Sequence, residues 1–201
     1  MPALRVGVLF SERTDLADAL CELASRDPAV RLVAAATDRD HEPGTTPPGV
    51  PVRAFPAERY PDRIQRDLAL AEWLGSREVD LAVTPGWRWL LTPEFLDRFP
   101  NRVVNVHPTL LPAFPGRHSV EAAVAYGVRV HGVTVHLVDA GVDTGPILAQ
   151  AARNFPEPAP AASVRAALAP IERELLGRVV EAFAHGRVVH HPGNGRWAIS
   201  S

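Results

Sequence analysis

Cysteine is nearly absent. Cys21 is the single thiol in 201 residues, so no internal disulfide can form and a reducing compartment is expected. No basic block is present either. The 21 Lys and Arg against 23 Asp and Glu leave a net charge of −2, which makes nucleic acid a poor partner. No apolar run is long enough to span a membrane. Met1-Pro2-Ala3-Leu4-Arg5 runs straight into a strand pattern without a signal-like stretch, so a cytoplasmic location is expected. No repeat and no linker divides the chain, and a single domain over 1–201 is expected. There is no Cys cluster and no HExxH spacing, so no metal is expected. Cys21 could serve as a nucleophile. With no histidine near it in sequence, a small buried packing residue on the first helix is the expected role.

What is present is 46% hydrophobic residues with 20 prolines and 14 glycines, an ordinary globular composition. Strands are expected over 4–10, 30–36, 52–55, 79–84 and 102–107. Helices are expected over 14–25, 60–76 and 92–99, with Thr92 capping the last and Pro93 suiting its first turn. The Pro- and Gly-rich stretch 41–51 reads as a loop. A helix over 119–126 follows, then strands over 130–138 and 147–153. A long helix over 163–185, interrupted near Pro170, leads to a terminal hairpin of 187–191 and 196–199. Alternating strands and helices in the first half argue an α/β, doubly wound, mostly parallel sheet, with the second half more antiparallel.

The most informative stretch is Asn105-Val106-His107-Pro108-Thr109-Leu110-Leu111-Pro112-Ala113-Phe114-Pro115-Gly116. An amide and an imidazole at i and i+2 of a strand share a face. Three prolines stiffen the exit. Open α/β sheets build their sites at such strand ends. A second piece, Asp139-Ala140-Gly141-Val142-Asp143-Thr144-Gly145-Pro146-Ile147, follows the next strand and carries an acid at the tip of a turn. Asp143 could simply close an Asx-turn. With Asn105 and His107 it could instead form a proton-transfer set.

The two motifs, N-x-H-P-[ST]-L-L-P-x-[FY]-x-G and D-x-x-x-D-x-G-P-[IV], resemble those of the folate-dependent formyltransferases, over nearly the whole chain. The branch acting on glycinamide ribonucleotide is the most similar. The resemblance implies a Rossmann-like formyltransferase fold with 10-formyltetrahydrofolate as co-substrate and no metal. It implies that Asn105 and His107 stabilise a tetrahedral oxyanion, and that Asp143 carries the amine's proton and helps keep His107 charged. Gly86-Trp87-Arg88-Trp89-Leu90-Leu91 occupies the place of the family's pterin-pocket segment, Gly-aromatic-Met-Arg-Ile-Leu. Arg88, Trp89, Leu90 and Leu91, with Val138, Asp139, Ala140 and Asp143, are thereby implied in folate binding. Trp87 and Trp89 could equally be core packing. Gly86, Pro108 and Glu172 are implied on the acceptor side. His118 and His136 are implied around the site, and His131 has no implied role. His190 and His191 read as surface residues.

One loop departs from the pattern. The ribonucleotide enzymes carry Gly-Asn-Gly-Ser-Asn after the first strand, which lets backbone N–H groups reach a phosphate. Here the matching residues are Ser11-Glu12-Arg13-Thr14-Asp15. Arg13 could replace the lost donors as a phosphate ligand and Thr14 keeps a hydroxyl; Thr14 or Asp15 could equally do no more than cap the helix. The acceptor is therefore open between glycinamide ribonucleotide and another amine, such as an amino sugar or specialised metabolite. Hydrolysis of the formyl donor is a further alternative, as is a folate-binding protein without turnover. The oligomeric state is open between monomer and homodimer.

Overall fold

The computed structural model describes residues 2–11, 15–39, 49–193 and 195–200. Two compact units, 1–105 and 106–201, are taken in turn.

In the first unit the strands are β1 (Leu4–Phe10), β2 (Val30–Thr37), β3 (Val52–Ala54), β4 (Leu81–Val83) and the start of β5 (Val103–His107). They lie in the order β3-β2-β1-β4-β5, and all the pairs are parallel. The near-continuous apolar run of β1 suits a central parallel strand covered on both faces. Helix α1 (Asp15–Arg26) buries Leu16, Ala17, Leu20 and Leu23, the i, i+1, i+4, i+7 stripe of a core-facing helix. Cys21 lies off that stripe and is only half-buried, which corrects the expectation of full burial. Its Sγ–H donates to the Ala17 carbonyl oxygen at 2.9 Å. Burial, with Asp18 nearby, pushes its pKa up to about 11. The thiol stays protonated and is no nucleophile.

Helix α2 begins at Arg63, later than the pattern suggests. A 3₁₀ turn occupies Ala57–Arg59. Asp62 then caps the helix by accepting from the Gln65 N–H at 2.8 Å, which satisfies a donor the first turn leaves free. Helix α3 is a single turn, Pro93–Leu96. Thr92 holds the N-cap position without capping through its side chain. Its N–H instead donates to Asp67 Oδ2 at 2.8 Å.

Asp67 also explains a feature that the helical pattern hides. Arg66 and Asp67 are 1% and 0% exposed, and Arg66 Nε and Nη2 donate to Asp67 Oδ1 at 2.9 and 2.7 Å. Removing one partner of a buried pair strands the other charge. Asp67→Ala is therefore expected to lower stability by about 3–5 kcal/mol, read as a shift of the urea midpoint. A shift below about 1 kcal/mol would show that water reaches Arg66 in its place.

In the second unit, α4 (Ser119–Tyr126), β6 (Val130–Leu137), β7 (Ile147–Asn154) and α5 (Ala161–Ala184) precede a hairpin, β8 (Val188–His191) and β9 (Arg196–Ile199). β6 and β7 are antiparallel, as are β8 and β9. Helix α5 packs on β6, β7 and α4. It runs through Pro170 without interruption, contrary to the sequence pattern. Pro170 is exposed, so the carbonyl it leaves unpaired faces solvent. Gly132 on β6 is required by packing. A Cβ there would lie 2.4 Å from the Ala151 carbonyl oxygen and 2.5 Å from Leu110 Cδ2. Among the described residues no helix is long and apolar enough to cross a membrane.

Candidate active site

In the first unit β5 brings Asn105 to the end of the parallel sheet. The Thr84 hydroxyl reaches Asn105 Oδ1 at 3.3 Å, which orients the amide. The segment after β4 turns at Gly86, whose φ is +68°. Arg88 Nε and Trp89 Nε1 both donate to Asp38 Oδ2 at 2.6 Å. The Ser11 hydroxyl accepts from the Arg88 N–H at 3.2 Å. Trp89 and Leu90 are 37% and 44% exposed, whereas Leu91 is buried. Trp89 is thus no core residue. A pocket of about 260 Å³ lies beside it, lined by Ala57, Tyr60, Asp62, Arg63 and Arg66 among others. Glu12, Arg13 and Thr14 lie outside the described residues.

In the second unit the Pro-rich loop after β5 is pinned from inside. The fully buried Thr134 hydroxyl donates to the Thr109 carbonyl at 2.7 Å and accepts the Leu111 N–H at 3.0 Å. Gln150 donates to the Leu111 carbonyl at 2.8 Å and to Thr134 Oγ1 at 2.9 Å. The Leu111–Pro112 peptide is cis, and Phe114 takes φ +55°. Side-chain donors on two strands fix a loop whose own backbone bonds are few, which is how a rigid first shell is built. Sequence alone gives no signal for Thr134 and Gln150: one is buried on β6 and the other exposed on β7, and their shared role depends on the pairing of those strands.

The carboxylate of Asp143 sits among three donors. Its Oδ2 accepts the Gly116 N–H at 2.7 Å and lies 3.2 Å from His107 Nδ1. Its Oδ1 lies 3.5 Å from His136 Nε2. Asp143 itself adopts φ +53°, a left-handed conformation that Asp tolerates better than most residues. The Asx-turn that it could have closed belongs to Asp139, whose Oδ1 accepts from the Gly141 N–H at 3.1 Å and the Thr144 hydroxyl at 2.7 Å. Gly145 is obligatory behind it, because a Cβ would fall 1.9 Å from the Leu137 carbonyl oxygen. Asp143 is therefore left for His107 and His136. Burial works to raise its pKa. Hydrogen bonds from His136 and the Gly116 N–H and the two imidazole charges outweigh this and hold the carboxyl down at about 2.

His107 is buried, with Nε2 2.9 Å from the Phe114 carbonyl oxygen. Both ring nitrogens thus face acceptors, an arrangement that only the doubly protonated ring satisfies in full. Burial nevertheless lowers its pKa below the usual 6.5, and Asp143 and the Phe114 carbonyl offset this only in part. Asp143 does favour the charged ring, and desolvation opposes it with the larger effect. His107 is a ring provided with a place for a second proton, which burial disfavours. Negative charge developing nearby would tip the balance.

The remaining candidates are placed plainly. Pro108 follows His107 half-buried, and Val138 is half-buried while Asp139 and Ala140 are exposed. His136 touches Asp143 directly, closer than the outer position expected of it. His118 is exposed at the N-cap of α4 with φ +57° and makes no capping bond. His131 is buried edge-on against Phe155, ring centroids 5.2 Å apart. Glu172 is buried on α5, 3% exposed. His190 and His191 are exposed on the hairpin, and His190 packs on Trp197 with ring centroids 5.0 Å apart.

The first unit, a parallel α/β sheet ending at Asn105, and the second, with its His107–Asp143 pair, each carry groups of the kind that acyl-transfer enzymes use. The family described as formyl transferase matches residues 4–189, and the chain belongs to it. A phosphoribosylglycinamide formyltransferase of Mycobacterium tuberculosis is 41% identical over 188 residues, 92% of this chain and 87% of its own length. The crystal structure of glycinamide ribonucleotide transformylase 1 from Symbiobacterium toebii superposes with a TM-score of 0.90 at 33% identity, covering 99% of this chain and 95% of that one. A formyltetrahydrofolate deformylase of Haemophilus influenzae is 33% identical over 126 residues, which is 63% of this chain but 45% of that protein. The chain is a formyltransferase of the kind that takes its formyl group from 10-formyltetrahydrofolate.

Proposed function

We propose that this chain transfers the formyl group of 10-formyltetrahydrofolate to the primary amine of glycinamide ribonucleotide, a step of purine synthesis. The observation that carries the reading is the Asp143 carboxylate held at 3.2 Å from His107 Nδ1 and 3.5 Å from His136 Nε2. The neutral amine attacks the formyl carbon and a C–N bond forms. The carbonyl oxygen takes up negative charge, which the Asn105 amide and His107 stabilise. Asp143, through water, takes the proton that the amine loses. The bond to N10 of the folate then breaks as the oxyanion collapses, and N10 leaves with the proton that Asp143 had taken, passed on through water. No covalent enzyme intermediate is needed.

In this reading Arg88, Trp89, Leu90, Leu91 and the segment Val138 to Asp143 hold the folate. Arg13, Thr14, Gly86, Pro108 and Glu172 hold the acceptor. One catalytic domain is the reading that one family match over 4–189 supports. The cytoplasm, with small molecules as partners and neither nucleic acid nor membrane, fits the net charge of −2.

The replaced loop Ser11-Glu12-Arg13-Thr14-Asp15 favours a second reading, formyl transfer to a different, unphosphorylated amine. Calorimetry with a stable folate analogue, with and without glycinamide ribonucleotide, separates the two. Ribonucleotide binding that Arg13→Ala weakens about tenfold or more, the worth of a charge-assisted hydrogen bond, is the expected result. Folate binding with no ribonucleotide signal would move the assignment to unphosphorylated amines.

A further inference from the structure

We propose that Asp38 is a positioning residue for the formyl donor, fixing the turn 86–91 so that Trp89 stands as a rigid wall. The proposal rests on the reading of that turn as part of the folate site. Nothing in the motif comparison points to Asp38; it follows from the displacement of the arginine by one position, to 88, with a tryptophan after it.

Asp38 stands directly after β2 and is only 5% exposed. Its Oδ2 is shared by two successive residues of an otherwise exposed turn, Arg88 Nε and Trp89 Nε1, each at 2.6 Å. Its Oδ1 is buried without a partner. A buried carboxylate oxygen left unsatisfied is costly, so this acid is not a filler of space. Trp89 is gripped at its faces as well. The Arg66 Cζ lies 5.0 Å from its ring centroid and the Arg88 Cζ 5.8 Å. Arg66 is itself immobilised by Asp67. The indole is thus held by its N–H from one side and by two guanidinium groups over its rings.

The turn's other anchors, the Ser11 bond to the Arg88 N–H, the Trp87 N–H bond to the Thr84 carbonyl and the buried Leu91, leave the Trp89 side chain itself unfixed. Trp89 and Leu90 remain more than a third exposed, so hydrophobic burial contributes little to its order. The polar anchor therefore sets the conformation. Trp89 lines the pocket of about 260 Å³ that also carries Tyr60, Arg63 and Arg66. Rotation of the indole would reshape that pocket. A ligand that meets a wall already in place binds without the cost of ordering it. Arg88 is 38% exposed at its side chain and can be solvated if Asp38 is lost, so the penalty falls on the geometry of the turn.

The test is steady-state kinetics on Asp38→Asn, Trp89→Phe and the double variant, with Tm measured for each. Trp89→Phe keeps a ring and removes the N–H. Wild-type turnover of 10-formyltetrahydrofolate examines the underlying reading first; with that established, the proposal stands or falls alone. Asp38→Asn is expected to raise the donor KM about tenfold, with kcat within about twofold and the acceptor KM unmoved. In the Trp89→Phe background the further effect of Asp38→Asn is expected to shrink, since the two share one contact. Equilibrium binding of a folate analogue, followed by tryptophan fluorescence, is expected to weaken by the same factor. A folded Asp38→Asn with an unchanged donor KM, or additive effects in the double variant, overturns the proposal. If Asp38→Asn does not fold, Trp89→Phe decides: a raised donor KM upholds the anchor and an unchanged one overturns it.

Discussion

Asp143→Asn is expected to cost a factor on the order of 10²–10⁴ in kcat, the range of a general acid–base group, while donor binding persists. Asparagine keeps the size and one carbonyl oxygen, so the Gly116 N–H at 2.7 Å can still be satisfied. What goes is the charge that faces His107 and His136, and with it the capacity to accept the amine's proton. The same substitution is expected to lower stability above about pH 4, because a carboxyl held at about 2 rather than its usual 3.8 stabilises the folded state where it is ionised. A depressed carboxyl pKa contributes stability that is complete above the unfolded value and disappears as pH falls through the folded one. The wild type should therefore lose this contribution between roughly pH 4 and pH 2, and the variant should lack that limb. Urea titrations across the range read the stability, and donor turnover reads the chemistry. A variant with kcat within threefold of wild type would remove Asp143 from the proton path.

Most of the fold could be read before any coordinates. The near-continuous apolar run of β1, the β-branched residues of β6 and the stripe on α1 are strong signals, and each element formed where its pattern lay. The misses have local causes. Asp62 delayed α2 because a side-chain cap outweighs apolar spacing in choosing the first turn. Pro170 did not break α5 because the packing of Leu168, Glu172 and Leu175 on either side holds the helix and the carbonyl left without its N–H partner faces water. The site was legible where chemistry is local in sequence, as in Asn105 and His107 on one strand. It was illegible where it depends on pairing. Asp139 took over the turn that Asp143 could have closed, Thr134 and Gln150 hold the Pro-rich loop from neighbouring strands, and Asp38 meets Arg88 across a long sequence separation. The charge state of His107 was also beyond reach, since the balance of burial against one shared carboxylate exists only in the folded protein.

His107→Gln is expected to lower kcat by a similar factor, about 10²–10⁴, with folate-analogue binding retained. Glutamine preserves a donor near the Phe114 carbonyl, so the loop keeps an anchor, but it cannot gain or release a proton. In the wild type, burial lowers the imidazole's pKa, with Asp143 opposing. An NMR titration of the ring should therefore place it below 6.5 in the free protein, and in Asp143→Asn it should fall further, because the one negative charge that raises it is gone. The stability consequence has the opposite sense to that of a paired histidine. Below pH 6.5 the unfolded chain takes up the proton first, so folding stability declines from there down to the folded value. His107→Gln removes that decline. Two separate readouts thus bear on one residue. A proton-holding role requires the loss of turnover together with the flattened stability profile between pH 6.5 and the depressed value. Loss of turnover with an unaltered profile would mean that His107 titrates as it does in the unfolded chain, and that burial does not disfavour its second proton.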